Sequence, residues 1–241
     1  MTILITGSNG LIGSELVKNL TGSHFIIGLD ISIENVSESN LYFKCDVSNL
    51  EQLEDISKSL EERGIKVDAI INAHQYKPKG FLESGILDMD VSIWKSIIDV
   101  NLSGCYYTIR AFSKHMLEKE SGIIINFAST YAVVSSNPDL YNGNSMGNPV
   151  AYSASKGGVI SLTRYLAANL GNQGIRVNCI TPHGVYNNHE ESFNKKFSSM
   201  SPLGRMMQPS EILAPIKMLL DESCSYITGT NIMVDGGWTA W

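Results

Sequence analysis

Tyr152 and Lys156 stand four residues apart in the run AYSASKGGVISLTRYLA, which reads as a helix. Side chains at i and i+4 share a helix face, so the amine can lie within a few ångströms of the phenolic oxygen. A free tyrosine titrates near ~10. A positive charge at ~4 Å is worth ~4 kcal/mol at an effective dielectric of ~20, enough to lower that value by up to roughly 3 pH units. Such a tyrosine is an acid or base near neutral pH. The spacing alone is common, however, and a core tyrosine beside a snorkelling lysine is the more frequent reason for it. Its weight comes from the residues that accompany it.

A second chemical signature opens the chain. TGSNGLIG follows the first apolar run and places Gly7, Gly10 and Gly13 between a strand and a helix start, with Asn9, Leu11 and Ile12 among them. Missing side chains let a backbone turn sharply and approach a pyrophosphate, whose charge is favoured by free N–H groups and the helix dipole. The GxxGxxG spacing differs from the usual GxGxxG fingerprint, and a plain tight turn would also use it. Asp30 decides between the two. It ends the second strand seventeen residues beyond Gly13, where an acid accepts hydrogen bonds from the adenosine ribose and repels a 2′-phosphate. Ile31 and Ser32 follow it with no basic group for that phosphate, so NAD is predicted over NADP. Asp46 and Val47, after the third strand, are placed to meet the adenine; a turn-forming aspartate is the competing reading of Asp46.

These residues need a scaffold, and short apolar runs alternate with amphipathic stretches to supply one. TILIT, a helix from about Leu11, HFIIGLD, LYFKC, a helix through LEQLEDISKSLEE, VDAIIN and one long helix across VSIWKSIIDVNLSGCYYTIRAFSKHMLEK read β-α-β-β-α-β-α. GIIINFAS, the Tyr152 helix, IRVNCIT, a variable segment, a helix near SEILAPIKMLL and NIMVD complete the pattern. Ile- and Val-rich strands with little polar alternation suit a parallel sheet covered on both faces. The predicted fold is a single-domain α/β doubly wound parallel sheet of about seven strands, with ligands beyond the carboxyl ends of the strands.

Composition narrows the ligand. The chain has 241 residues, 43% of them apolar, a net charge of −6 and a pI near 5.4, which argues against a nucleic-acid binder. No window approaches a transmembrane span, and no basic leader precedes the strand at Thr2, so a cytoplasmic protein is expected. Cys45, Cys105, Cys179 and Cys224 are scattered without a CxxC pair, so neither a metal site nor a disulfide framework is indicated. A small-molecule substrate is expected.

Over nearly its whole length, Thr2 to about Gly237, the sequence resembles the short-chain dehydrogenase/reductase family. The likeness rests on TGSNGLIG, Asp46-Val47, INAH where the family usually shows NAG, Asn101 in DVNLSG, Ser129 in INFAS, YSASK, IRVNCITPHGV and ITGTNIMVDGG. It implies a Rossmann-type fold and a catalytic tetrad of Asn101, Ser129, Tyr152 and Lys156. In that scheme Tyr152 exchanges a proton with the substrate oxygen while hydride passes between substrate and nicotinamide. Lys156 lowers the Tyr152 pKa and holds the nicotinamide ribose. Ser129 hydrogen-bonds the substrate oxygen, an oxyanion-hole role, and Asn101 holds a water that relays protons from Lys156. The resemblance also implies cofactor contacts from Asn72, Ala73, His74, Pro182 and Val185, beside the loop and the acids already named.

The chain departs from the family pattern in three places. Its glycine spacing resembles the extended branch, which includes nucleotide-sugar epimerases and dehydratases, while its C-terminal half follows the shorter branch. His74 replaces the glycine of NAG, His183 takes the usual Gly after Pro182, and Asn187 stands where Thr is common. Ser129 and Tyr152 are 23 residues apart (152 − 129) because PDLYNGNSMGN, Pro138 to Asn148, is inserted between them and is expected over the substrate. The insertion is polar, and HQYKPKG brings His74, Lys77 and Lys79 to the same sheet edge, so a hydroxyl-rich or anionic substrate is expected. LYNGNSMGNPVAYSASKGGVISLTRYLA with VYNNHEESF is similar to the flagellin modification protein A group, which implies a sugar derivative of surface-glycan or nonulosonic acid biosynthesis. Alternative readings are a dehydrogenase or reductase of a small polyol, ketone or acyl substrate, and a non-catalytic dinucleotide sensor or scaffold. The family likeness also implies a homodimer or homotetramer, for which faces with Tyr106, Tyr107, Phe112 and Tyr165 would serve, although aromatic residues at those spacings are more often ordinary core. The terminal tryptophans either join that contact or pack on their own subunit.

Overall fold

The computed structural model describes residues 1–33, 39–78, 87, 89–142, 147 and 150–241. Lys79 and residues 143–146 and 148 of the insertion lie outside them. The chain runs through β1 (Thr2–Thr6), α1 (Leu11–Leu20), β2 (Phe25–Asp30), β3 (Leu41–Lys44), α2 (Leu50–Glu62) and β4 (Ala69–Asn72). It then enters α3 (Val91–Ile98), α4 (Gly104–Phe112), α5 (Lys114–Glu118), β5 (Gly122–Phe127) and α6 (Val150–Leu170). The last elements are β6 (Ile175–Pro182), α7 (Glu191–Ser199), α8 (Leu213–Leu220) and β7 (Asn231–Val234).

All seven strands form one parallel sheet in the order β3-β2-β1-β4-β5-β6-β7. Strand alternation explains why apolar residues run continuously. Ile3 and Ile5 of β1 pack with Leu16 and Leu20 of α1 and Ile216 and Leu219 of α8 on one face. Leu4 packs on the other face, in a cluster with Leu53 and Leu60 of α2, Ile109 and Phe112 of α4 and Ala167 of α6. With both faces covered, neither set of positions can be polar. The order reverses between β1 and β4, which opens a crevice at their carboxyl ends.

The expected single helix across 91–119 is interrupted. One π-helical turn, Asp99–Ser103, separates α3 from α4, and a break at Ser113 separates α4 from α5. Asn101 explains the wide turn: it is fully buried, its Oδ1 accepts from the Tyr76 N–H at 2.9 Å, and its Nδ2 donates to Ser155 Oγ at 3.3 Å. A regular helix has no internal use for this amide, whereas the π turn delivers it to two neighbouring elements. Phe112 takes the core alternative and is only 4% exposed. Tyr107 also packs against that core, while Tyr106 and Tyr165 are exposed.

Candidate active site

A cleft of about 1240 Å³ follows the carboxyl ends of the strands, from the glycine loop past Ser129 and Tyr152 to α7. Gly7, Asn9, Gly10, Leu11, Ile12, Asp30, Ile31, Asp46, Val47, Ala73, His74, Ser129, Tyr152, Lys156, Pro182 and Val185 line it. Three further sequence-predicted residues, Gly13, Asn72 and Asn101, do not. Gly13 packs behind the loop, where an added Cβ would lie 1.9 Å from the Gly7 carbonyl oxygen. Asn72 donates to Asn126 Oδ1 at 2.9 Å and ties β4 to β5. Both shape the wall without lining it.

The glycine loop fits a dinucleotide. Gly7 has φ +66°, and a Cβ there would meet His74 Cα at 2.7 Å, so the loops after β1 and β4 touch at the point where strand order reverses. Helix α1 starts after Gly10 with no side-chain cap, which leaves its first N–H groups for an anion. Asp30 Oδ2 accepts from the Asn9 N–H at 2.9 Å and Oδ1 from the Ser32 N–H at 3.1 Å, so the carboxylate is fixed at the crevice edge. Lys44, in register with Asp30 on β3, does not line the cleft. Asp46 does double duty: Oδ1 accepts from Ser48 N–H and Oγ at 2.9 and 2.7 Å, which makes the turn, and the residue still faces the cleft.

His74 is committed to the protein. Its Nδ1 pairs with Thr6 Oγ1 at 2.6 Å and its Nε2 with the Val100 carbonyl at 3.0 Å. A carbonyl can only accept, so Nε2 carries the proton and Thr6 donates to Nδ1. The imidazole therefore clamps β1 to the π turn. Burial first, then the charge of Lys156, pushes its pKa down to about 3.

Ser129 follows β5, while Tyr152 and Lys156 sit on α6 above it. The Tyr152 hydroxyl is hydrogen-bonded to the Ser129 side chain, whose Oγ also accepts from the Tyr131 N–H at 3.3 Å. Lys156 is 3% exposed and its Nζ donates to the Phe127 carbonyl at 2.9 Å, 6.0 Å from the centroid of the Tyr152 ring. The expected lowering of the tyrosine pKa is corrected here. Burial raises the Tyr152 pKa, with the Ser129 hydrogen bond as the opposing influence. Burial also lowers that of Lys156. Desolvation thus favours the neutral form of each group.

The outer wall adds a tyrosine pair that the sequence did not single out, and it shows what His183 and the C-terminal turn contact. Tyr141, from the inserted segment, donates to Tyr131 Oη at 2.7 Å, and both rings line the cleft beside Tyr152. His183 pairs with Thr130 Oγ1 at 3.1 Å, and its ring packs against Phe197 at 4.1 Å and Trp238 at 3.9 Å, which also contact each other. Asp235 sets up that stack by accepting from the N–H groups of Gly237 and Thr239, which folds the C-terminal turn back. Trp238 thus packs on its own subunit, while Trp241 is exposed. The only local clue to the tyrosine pair was Tyr131 lying two residues after Ser129; the other contacts join distant segments.

This sheet order, glycine crevice and Ser-Tyr-Lys cluster define a dinucleotide-binding oxidoreductase, and the chain belongs to the short-chain dehydrogenase/reductase family. The family described as Enoyl-(Acyl carrier protein) reductase matches residues 31–239. Among curated relatives, the 3-oxoacyl-[acyl-carrier-protein] reductase FabG of Buchnera aphidicola is 29% identical over 248 residues, covering 98% of this chain and 96% of that protein. Galactitol 2-dehydrogenase (L-tagatose-forming) of Cereibacter sphaeroides is 33% identical over 161 residues, covering 64% of this chain and 60% of its own. A short chain dehydrogenase from Leptospira borgpetersenii, solved with bound NAD+, superposes with a TM-score of 0.91 at 33% identity, over 99% of this chain and 92% of the other. No described helix is long and apolar enough to cross a membrane.

Proposed function

We propose that this protein transfers hydride between NAD and the secondary alcohol or ketone of a polar, hydroxyl-rich small molecule, with Tyr152 as the proton donor and acceptor. The observation that carries the reading is the placement of Ser129, Tyr152 and Lys156 on the wall of a cleft that continues to the Asp30 crevice. NAD, when bound, supplies the hydride acceptor or donor. Gly7, Gly10 and the uncapped start of α1 would hold its pyrophosphate, and Asp30 its adenosine ribose.

The chain's own residues do the rest. Tyr152, as the neutral phenol, gives its proton to the oxygen of a ketone being reduced; in the reverse direction it acts as the phenolate and takes the proton of an alcohol being oxidised. Ser129 offsets the charge on that oxygen and on the phenolate left behind. Lys156, fixed on the Phe127 carbonyl, is a positioning cation beneath the ring. Asn101 is a positioning residue that joins the Tyr76 backbone to Ser155 on α6. The polar outer wall, with Gln75, Lys77, Asn187 and the Tyr131–Tyr141 pair, supports a sugar derivative over a fatty acyl chain. The likeness to the flagellin modification group points the same way, toward surface-glycan or nonulosonic acid biosynthesis in the cytoplasm. Exposed Tyr106 and Tyr165 on α4 and α6 are the faces through which a homodimer or homotetramer would form.

The test follows NADH absorbance across panels of sugars, sugar phosphates, nucleotide sugars, polyols and acyl thioesters. Turnover is expected in the sugar and polyol panels, and Tyr152→Phe should lower it by about 10²- to 10⁴-fold while NAD binding stays within about twofold. Turnover confined to acyl thioesters would overturn the substrate reading. A fully active Tyr152→Phe would overturn the acid/base assignment.

A further inference from the structure

The substrate half of the cleft differs in charge from its cofactor half. Two of the carboxylates lining the cleft, Asp30 and Asp46, stand at the ends of β2 and β3, on one side of the strand-order reversal. On the other side, β4 and β6 flank β5, whose end carries Ser129. Lys77 lies in the segment after β4 and His189 in the segment after β6, and both line the cleft. They therefore approach the Ser129–Tyr152 cluster from opposite sides.

Among the described residues, no salt bridge neutralises either side chain, and Asp99, the remaining carboxylate of the cleft, pairs with neither. The His189 ring is braced by Tyr186 and Phe193, at centroid distances of 6.5 and 5.5 Å. Its Nδ1 accepts from the Asn187 N–H at 3.3 Å, which leaves Nε2 as an N–H donor. Burial, and then the nearby charge of Lys77, hold the His189 pKa below its ordinary value, so the two groups sense each other. An ammonium and an imidazole N–H facing one cleft, with no ion pair to a described carboxylate, form an incomplete electrostatic arrangement, and an anion completes it.

We propose that Lys77 and His189 form a subsite for an anionic group of the substrate, a phosphomonoester or a carboxylate, carried away from the carbon that reacts at Tyr152. This deepens the proposed function and rests on it for the position of the reacting carbon. The cofactor's own phosphates are not the occupant, because the glycine loop that fits them lies on the other side of the reversal.

Two measurements test it. The first is thermal shift of the NAD-loaded protein with inorganic phosphate and, separately, with succinate, in wild type, Lys77→Ala and His189→Leu. A shift that saturates in wild type and disappears in both variants is expected, and the stronger of the two anions identifies the head group. The second compares kcat/KM for a neutral polyol or sugar with that for its phosphate or acid. Lys77→Ala should lower the ratio of anionic to neutral substrate by about ten- to a hundredfold, Lys77→Arg should restore most of it, and the Kd for NAD should not move. Equal losses on neutral and anionic substrates, or a loss of NAD affinity instead, would overturn the subsite. The anion shift reads the subsite even if no tested compound turns over, so failure of the oxidoreductase substrate reading and failure of the subsite are separable.

Discussion

His74 gives the sharpest test of how the β1–β4 junction is held. Its imidazole is 7% exposed, is buried neutral, and joins Thr6 to Val100. Burial has pushed its pKa down from an ordinary 6.5 to about 3. Because the folded value lies below the unfolded one, the unfolded chain binds the extra proton between them. Stability is therefore complete above the unfolded value and is lost as pH falls toward the folded one. With those two values, linkage removes about 2 kcal/mol between about pH 7.5 and about pH 5. In a chain of this size that equals a fall in Tm of about 4–8 °C. His183, also pushed down to about 3 by burial, adds a similar fall in the same window. His74→Asn should be less stable at the upper pH by about 1–3 kcal/mol, since Thr6 and Val100 lose a fitted partner. It should also lose about half of the acid-dependent fall in Tm. Circular dichroism melts of both proteins across the window measure this directly. A variant that loses as much Tm as wild type on acidification would refute the neutral, buried clamp.

The cofactor end makes two further claims. Asp30→Ser removes the fixed carboxylate that would face a 2′-phosphate; a charge of about −1.5 to −2 at ~5 Å and an effective dielectric of ~40 gives about 3 kcal/mol, so the NAD-over-NADP preference in Kd should fall by about a hundredfold. An unchanged preference by fluorescence titration would exclude Asp30 as the discriminator. Gly13→Ala places a Cβ 1.9 Å from the Gly7 carbonyl oxygen, a contact no rotamer relieves. Calorimetry should show NAD affinity reduced at least about tenfold, with the loop forced out of shape; wild-type affinity would mean that the loop is not rigid.

What could be read from the sequence was what local chemistry determines. The seven strands were legible because a sheet covered on both faces demands runs such as AIIN and GIIINF. The phosphate loop was legible because its glycines serve contacts a few residues apart. The interruption at Asp99–Ser103 was not, because it exists to bring Asn101 to Tyr76 and Ser155, partners on other elements. Tyr141 reaches Tyr131 only through the path of the inserted segment, and Trp238 reaches His183 only because Asp235 folds the chain's end. Phe112 was ambiguous for a related reason: an aromatic on an amphipathic helix fits an interface or a core, and the packing of α2 against α4 decides for the core.

The Tyr152–Lys156 pair shows how geometry reverses an electrostatic argument built on spacing alone. At the assumed ~4 Å the lysine outweighs any modest burial, but with its amine spent on the Phe127 carbonyl and 6.0 Å from the ring centroid the same arithmetic gives only about 3 kcal/mol, roughly 2 pH units. Desolvation moves a titratable group by up to about 3–5 units toward its neutral form, and it is the leading influence on Tyr152, half-buried on the cleft wall. Burial therefore wins, and the phenol keeps its proton across the physiological range. A site in that state is an acid before it is a base: it is set to protonate an oxygen that gains negative charge, as a carbonyl does when it accepts hydride. Ser129, which pulls the Tyr152 pKa back down, is then a residue that helps the phenolate exist after the proton has left. The lysine's charge stays where β5 ends, under the ring, as a fixed contribution to the field in which that transfer occurs.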